Sequence, residues 1–111
     1  MEKELELTVL VSENPFTDKV KTPVFILCNC WAYVKSKHSS LPGTNYILSH
    51  LSDHGSVAVF YYPKVDLHHY GIVLYEHDDY YVIEETNYTS CTKGLRNVPK
   101  DDPSLIGFFD V

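Results

Sequence analysis

The chain of 111 residues fits one domain with a single core, and its 44% hydrophobic and 14% aromatic content, nine tyrosines among it, is that of a globular fold and not of a disordered segment. Fifteen acidic against nine basic residues leave a formal charge of −6, which repels phosphate backbones and anionic headgroups, so neither nucleic acid nor a membrane is expected as a partner. No window reaches the roughly 18–20 consecutive apolar residues of a membrane span, and Met1-Glu2-Lys3-Glu4 opens no signal peptide, so synthesis in a cytoplasm is expected.

Taken in chain order, residues 4–11 (ELELTVLV) alternate polar residues with Leu5, Leu7, Val9 and Val11, the two-residue period of a half-buried outer strand. Residues 12–23 carry Pro15 and Pro23 with mixed charge and read as a loop. Phe25, Cys28, Ala32 and Val34, with Trp31 and Tyr33, fit a helix over residues 24–37, with Asn29 or Cys28 near the N-terminus of its main part, closed by His38-Ser39-Ser40-Leu41-Pro42-Gly43. A shorter helix is expected over residues 44–52, with Thr44 as cap and Tyr46, Ile47, Leu48 and Leu51 as its apolar side. The runs at 56–62, 69–76, 80–88 and 105–111 are β-branched or aromatic and separated by turn formers, so they read as strands. This order gives an α+β domain with N-terminal helices packed on an antiparallel sheet.

The three cysteines, at positions 28, 30 and 91, are an odd number, and Cys28 and Cys30 stand too close in sequence to bridge easily, so a disulfide framework is not expected. Cys30 opens the main helix, where unpaired N–H groups and the positive end of the helix dipole favour a thiolate. Cys28 reads as packing or as part of the preceding turn, and Cys91 as a loop thiol.

Strands 69–76 and 80–88 form a hairpin around His77-Asp78-Asp79. A three-residue connection pairs Glu76 with Tyr80, sets His69 across from Asn87, and leaves Glu85 diagonally adjacent on the same face. That parity favours His69 over His68 as a base and turns Glu84 away. A carboxylate and a carboxamide beside an imidazole hold one ring nitrogen and leave the other to exchange a proton with a thiol, should the start of the helix abut this face. The Cys30 backbone N–H and the Asn29 side chain are candidate oxyanion donors.

The blocks NCWAYVK (29–35), GSVAVF (55–60), HYGIVL (69–74) and EETNY (84–88) resemble, in order, the motifs of the CHAP family of cysteine- and histidine-dependent amidohydrolases/peptidases, over roughly residues 28–110. The resemblance implies a papain-like single domain over residues 1–111, with Cys30 as nucleophile, His69 as base and Glu85 with Asn87 as its orienting groups. It also implies a peptidoglycan peptide substrate, with action at the bacterial cell wall by holin release or inside a virion, and other phage or virion proteins as partners. Two departures bear on substrate fit: Ser56 stands where the family carries an acidic residue, and His68 where a glycine is common. The stretch between Cys30 and His69 is also shorter than the family's.

Two other function classes fit the same residues: a non-catalytic virion or tail module used as a binding platform, and a cytoplasmic cysteine peptidase acting on protein. His50 and His54 have the spacing of a zinc-binding helix face, but no third ligand at a fixed spacing joins them, and Glu13 with Asp18 makes no calcium array, so no metal and no cofactor are expected. The tyrosine pairs 61–62 and 80–81 and Tyr88 read as sheet packing that can also line a sugar-peptide groove.

Overall fold

The structure, a computed structural model, describes residues 24–111. The strand expected over 4–11, the loop over 12–23, and Glu13 and Asp18 lie outside the described residues. Three helices, α1 (Val24–Leu27), α2 (Cys30–Lys37) and α3 (Thr44–Leu48), precede five strands, β1 (Val57–Tyr62), β2 (Leu67–Glu76), β3 (Tyr80–Asn87), β4 (Thr92–Pro99) and β5 (Leu105–Phe109). The strands form one antiparallel sheet in the order β4-β3-β2-β1-β5.

This corrects the expected papain-like α+β arrangement of N-terminal helices layered on a sheet. The five-stranded antiparallel sheet is the main element of the described residues, and the helices have only four, eight and five residues. The continuous helix expected over 24–37 breaks at Cys28 and Asn29, because Asn29 adopts an extended backbone (φ −135°, ψ 112°) and its side chain accepts the Ala32 N–H as the cap of α2. The helix expected over 44–52 stops at Leu48, and its N-cap is Gly43 and not Thr44, which is the first helical residue. Beyond it Ser52 exchanges two backbone hydrogen bonds with Phe108, of 2.8 and 3.0 Å, and so joins the β5 edge of the sheet.

The strand missing from the sequence reading is β4. Its inward positions are Gly94, Arg96 and Val98, all buried, between less buried Lys93, Leu95 and Asn97. The two-residue period is present, but a glycine and an arginine hide it. β4 pairs with all of β3, from Tyr80–Pro99 to Asn87–Thr92.

Strand β1 is buried on both faces, and its alternate residues feed two clusters. Val57 and Val59 join Tyr33, Val34, Ile47, Tyr70 and Ile72 beneath the helices, while Ala58 and Phe60 join Ile83, Val98 and Phe108 on the other side. The Tyr81 ring of β3 lies 5.0 Å from the Phe108 ring of β5, though β2 and β1 stand between those strands. Three strand spacings in a flat sheet amount to about 14 Å. The sheet therefore curls and encloses the second cluster in its own concavity, which is why so little helix suffices to bury it.

The β2–β3 hairpin turns more tightly than expected, with Glu76 paired to Tyr81 and not to Tyr80, and the His77 N–H donating to the Tyr80 carbonyl at 2.8 Å. A bulge between Val73 and Tyr75 then takes up one residue of β2, so that Ile72 faces Glu84. That is the register a Glu76–Tyr80 pairing also reaches, so the slip and the bulge cancel before the polar residues of β2 are met.

Candidate active site

The β2–β3 ladder runs no further than Ile72–Glu84, whereas β1–β2 pairing continues to Tyr62–Leu67 and β3–β4 pairing to Asn87–Thr92. The sheet thus forks. α2 packs against both arms, and its first residue, Cys30, meets the backbone N–H of Tyr70 and the ring of His69. The Trp31 ring closes on Tyr70 edge to face at 5.2 Å. By strand alternation Tyr70 faces the helices and His69 the concave side, so the thiol reaches through the fork to a histidine on the opposite face.

Gly71 lets Ile83 pack closely beside the fork. A Cβ at that position would stand 2.5 Å from Ile83 Cγ2 and 3.6 Å from Glu85 Cβ, so no larger residue fits between the strands without moving Ile83.

His69 Nε2 hydrogen-bonds Glu85 Oε1 at 2.8 Å, which leaves Nδ1 as the ring nitrogen for Cys30. Glu85 is 4% exposed and holds a second cation, with Arg96 Nε 2.6 Å from Oε2 and Arg96 Nη2 donating to Oε1 at 3.1 Å. The Arg96 guanidinium lies over the Phe60 ring at 5.0 Å and hydrogen-bonds the Tyr62 hydroxyl. Ser104 stands near Tyr62, and its hydroxyl donates to Asp102 at 2.7 Å.

These contacts set the charges. Burial pulls the His69 imidazolium down, but hydrogen bonds and charge from Cys30 and Glu85 outweigh it and hold the group to about 9. Burial pushes the Cys30 thiol up, yet the His69 hydrogen bond and charge, with the Tyr70 and Trp31 N–H groups, bring it below the ordinary thiol value. Burial also raises Glu85, and His69 and Arg96 together hold it lowered. With the thiol lowered and the imidazole raised, the pair favours thiolate and imidazolium, which gives a nucleophile beside a proton donor.

Of the four residues singled out in the sequence, the structure brings together Cys30, His69 and Glu85. Asn87 lies at the end of β3, where its side-chain oxygen accepts from the Thr89 and Ser90 N–H groups at 2.8 and 3.3 Å and shapes the β3–β4 turn. Arg96 was missed. The sequence signal for it was the inward register of β4 opposite Ile83, which is visible only once β4 is recognised as a strand.

Two cysteine expectations are corrected. Cys28 and Cys91 form a disulfide, so the turn just before the α2 cap is tied to the β3–β4 turn, and Cys30 is the free thiol. Cys28 does not bridge to its neighbour Cys30, because the fold supplies Cys91 from 63 residues away. Cys91 itself adopts φ +55°, at a position where its N–H donates to the Asn87 carbonyl at 2.7 Å.

A cleft of about 390 Å³ opens between the β1–β2 and β3–β4 turns, with His69, Glu85 and Arg96 in its wall and Val65, Leu67 and Tyr88 at its exposed rim. The His50 ring stacks on Tyr46 with centroids 3.9 Å apart, and among the described residues no three of His, Cys, Asp or Glu converge as a metal set. No described helix is long and apolar enough to cross a membrane. Comparison with protein-family models, curated proteins and solved structures finds no match to this chain.

Proposed function

We propose that the protein is a cysteine-dependent amidohydrolase that cuts an amide bond by acyl transfer to Cys30, with the peptide of bacterial peptidoglycan as its substrate. The observation that carries this reading is the placement of Cys30, the first residue of α2, beside the ring of His69, whose Nε2 is held 2.8 Å from Glu85 Oε1. The substrate comes from the resemblance of residues 29–35, 55–60, 69–74 and 84–88 to the CHAP motifs.

In this reading the Cys30 thiolate attacks the carbonyl carbon, and the oxyanion takes a hydrogen bond from the Cys30 N–H, which opens α2 and has no partner within the helix. The His69 imidazolium gives its Nδ1 proton to the leaving nitrogen as the C–N bond breaks, leaving a thioester and a free amine. Neutral His69 then takes a proton from water, whose oxygen displaces the thiol and restores the starting ion pair. Glu85 keeps Nε2 bound throughout and so fixes the ring and its tautomer.

The Cys28–Cys91 bridge supports action outside a reducing cytosol, which favours a wall hydrolase over a cytoplasmic peptidase. The test is release of new amino groups from purified peptidoglycan by the full chain, against Cys30→Ala and with a protein substrate in parallel. Release that Cys30→Ala abolishes is the expected result. Equal, negligible release by both chains, with Cys30 still readily alkylated, would overturn it in favour of a binding platform.

A further inference from the structure

We propose that Arg96 is a positioning residue of the Cys30 site: it neutralises the buried Glu85, so that the site carries no net charge when the thiolate–imidazolium pair forms. The inference deepens the proposed function and rests on the same cysteine–histidine pair, but its test reads the thiolate and not amide cleavage.

Glu85 and Arg96 are each 4% exposed, and the guanidinium meets both carboxylate oxygens, at 2.6 Å through Nε and 3.1 Å through Nη2. The ionisable groups facing this centre come from every element around it: Cys30 from α2, His69 and Tyr70 from β2, Glu85 from β3, Tyr62 from β1, and Arg96 itself from β4. Asp102, which accepts from the Ser104 hydroxyl, is the next acidic group beyond Tyr62. With the tyrosines neutral, Cys30 thiolate, His69 imidazolium, Glu85 carboxylate and Arg96 guanidinium sum to zero.

Without Arg96 the same state holds one uncompensated negative charge in a buried place, which is costly. The site avoids that cost most readily by keeping the thiol protonated. Alkylation rate on its acid limb follows the formation of the thiolate at Cys30. Arg96 also fixes Glu85 geometrically, because Phe60 and Tyr62 hold the guanidinium in place. Lysine at this position would keep the charge and lose the two-point grip.

The experiment is alkylation of Cys30 by iodoacetamide from pH 4.5 to 9 in the disulfide-intact chain, for wild type, Arg96→Met, Arg96→Lys and the double variant Glu85→Gln/Arg96→Met. Arg96→Met is expected to move the acid limb up by at least one pH unit, about tenfold in rate at a fixed pH on that limb, while Arg96→Lys stays near wild type. The double variant removes both charges and leaves the pair balanced again, so its limb is expected within about half a unit of wild type. It also stands in should Arg96→Met fail to fold. A folded Arg96→Met chain with an unmoved limb, or a double variant whose limb rises by a full unit, would overturn the proposal. Loss of wall hydrolysis with these alkylation profiles intact would instead count against the proposed reaction.

Discussion

Reduction of the Cys28–Cys91 bridge tests fold and site together. The bridge spans 63 residues of sequence, and closing a loop of that length removes about 14 cal/mol/K of chain entropy from the unfolded state, or about 4 kcal/mol at 25 °C. At about 4 °C per kcal/mol for a chain of this size, the melting temperature is expected to fall by about 16 °C when the bridge is opened. Because Cys28 immediately precedes the Asn29 cap, opening the bridge also loosens the entry of α2 and lets Cys30 draw away from His69. The assay is a thermal melt of the Cys28→Ser/Cys91→Ser variant against the oxidised wild type, alongside thiol counting and Cys30 alkylation at pH 7. The native chain should titrate one thiol and the reduced, unfolded chain three. The variant should melt lower and label Cys30 more slowly. Three thiols in the native chain, or a melting temperature within about 3 °C of wild type, would refute the reasoning.

Two further outcomes follow from the same geometry. His69 is held to about 9 when folded, against about 6.5 unfolded, a contribution to stability that is lost as the pH rises through about 9, while the lowered Cys30 thiol contributes in the opposite sense, because its proton is lost on folding. With one proton on the pair in either state, urea midpoints should change little between about pH 7 and pH 9 in wild type and fall with rising pH in Cys30→Ser, where Glu85 still raises His69; a steep fall in wild type would sink the assignment. Gly71→Ala places a methyl 2.5 Å from Ile83 Cγ2 and should destabilise by about 1–3 kcal/mol in chemical unfolding, with partial recovery in Gly71→Ala/Ile83→Val. No recovery would mean that the clash lies elsewhere.

The strands were legible because their burial alternates or runs continuously with β-branched and aromatic residues: β1, β2, β3 and β5 lie within two residues of where composition puts them. β4 was not, because its inward face holds Gly94 and Arg96, and Arg96 is buried only through a partner on another strand. The helices failed locally. A period of apolar residues runs through 24–37 and does not show the break at Cys28 and Asn29, although Asn29 was among the residues placed near a helix start and is the cap of α2. Of the site, Cys30, His69 and Glu85 were readable from helix position and strand parity, although the turn assumed for the hairpin was one residue too long. The disulfide and Arg96 were not, since both depend on contacts closed by the curl of the sheet and the β3–β4 turn.

The composition of the buried centre is itself an argument about purpose. Replacing a buried ion pair with apolar side chains of similar volume is often neutral or stabilising by about 1–4 kcal/mol, so Glu85 and Arg96 are a poor device for stability alone. They stand against Ile83, Val98 and Phe60, in a cluster that hydrophobic residues would fill well. What an apolar replacement cannot do is hold an imidazolium at its Nε2 while leaving Nδ1 to a thiol. The fork in the sheet has the same character, because it forgoes ladder hydrogen bonds between β2 and β3 beyond Ile72 and Glu84 to admit the start of one short helix. Both features weaken packing, and one meets His69 while the other admits Cys30, which is the pattern expected where a fold gives up local stability to hold a thiol beside an imidazole.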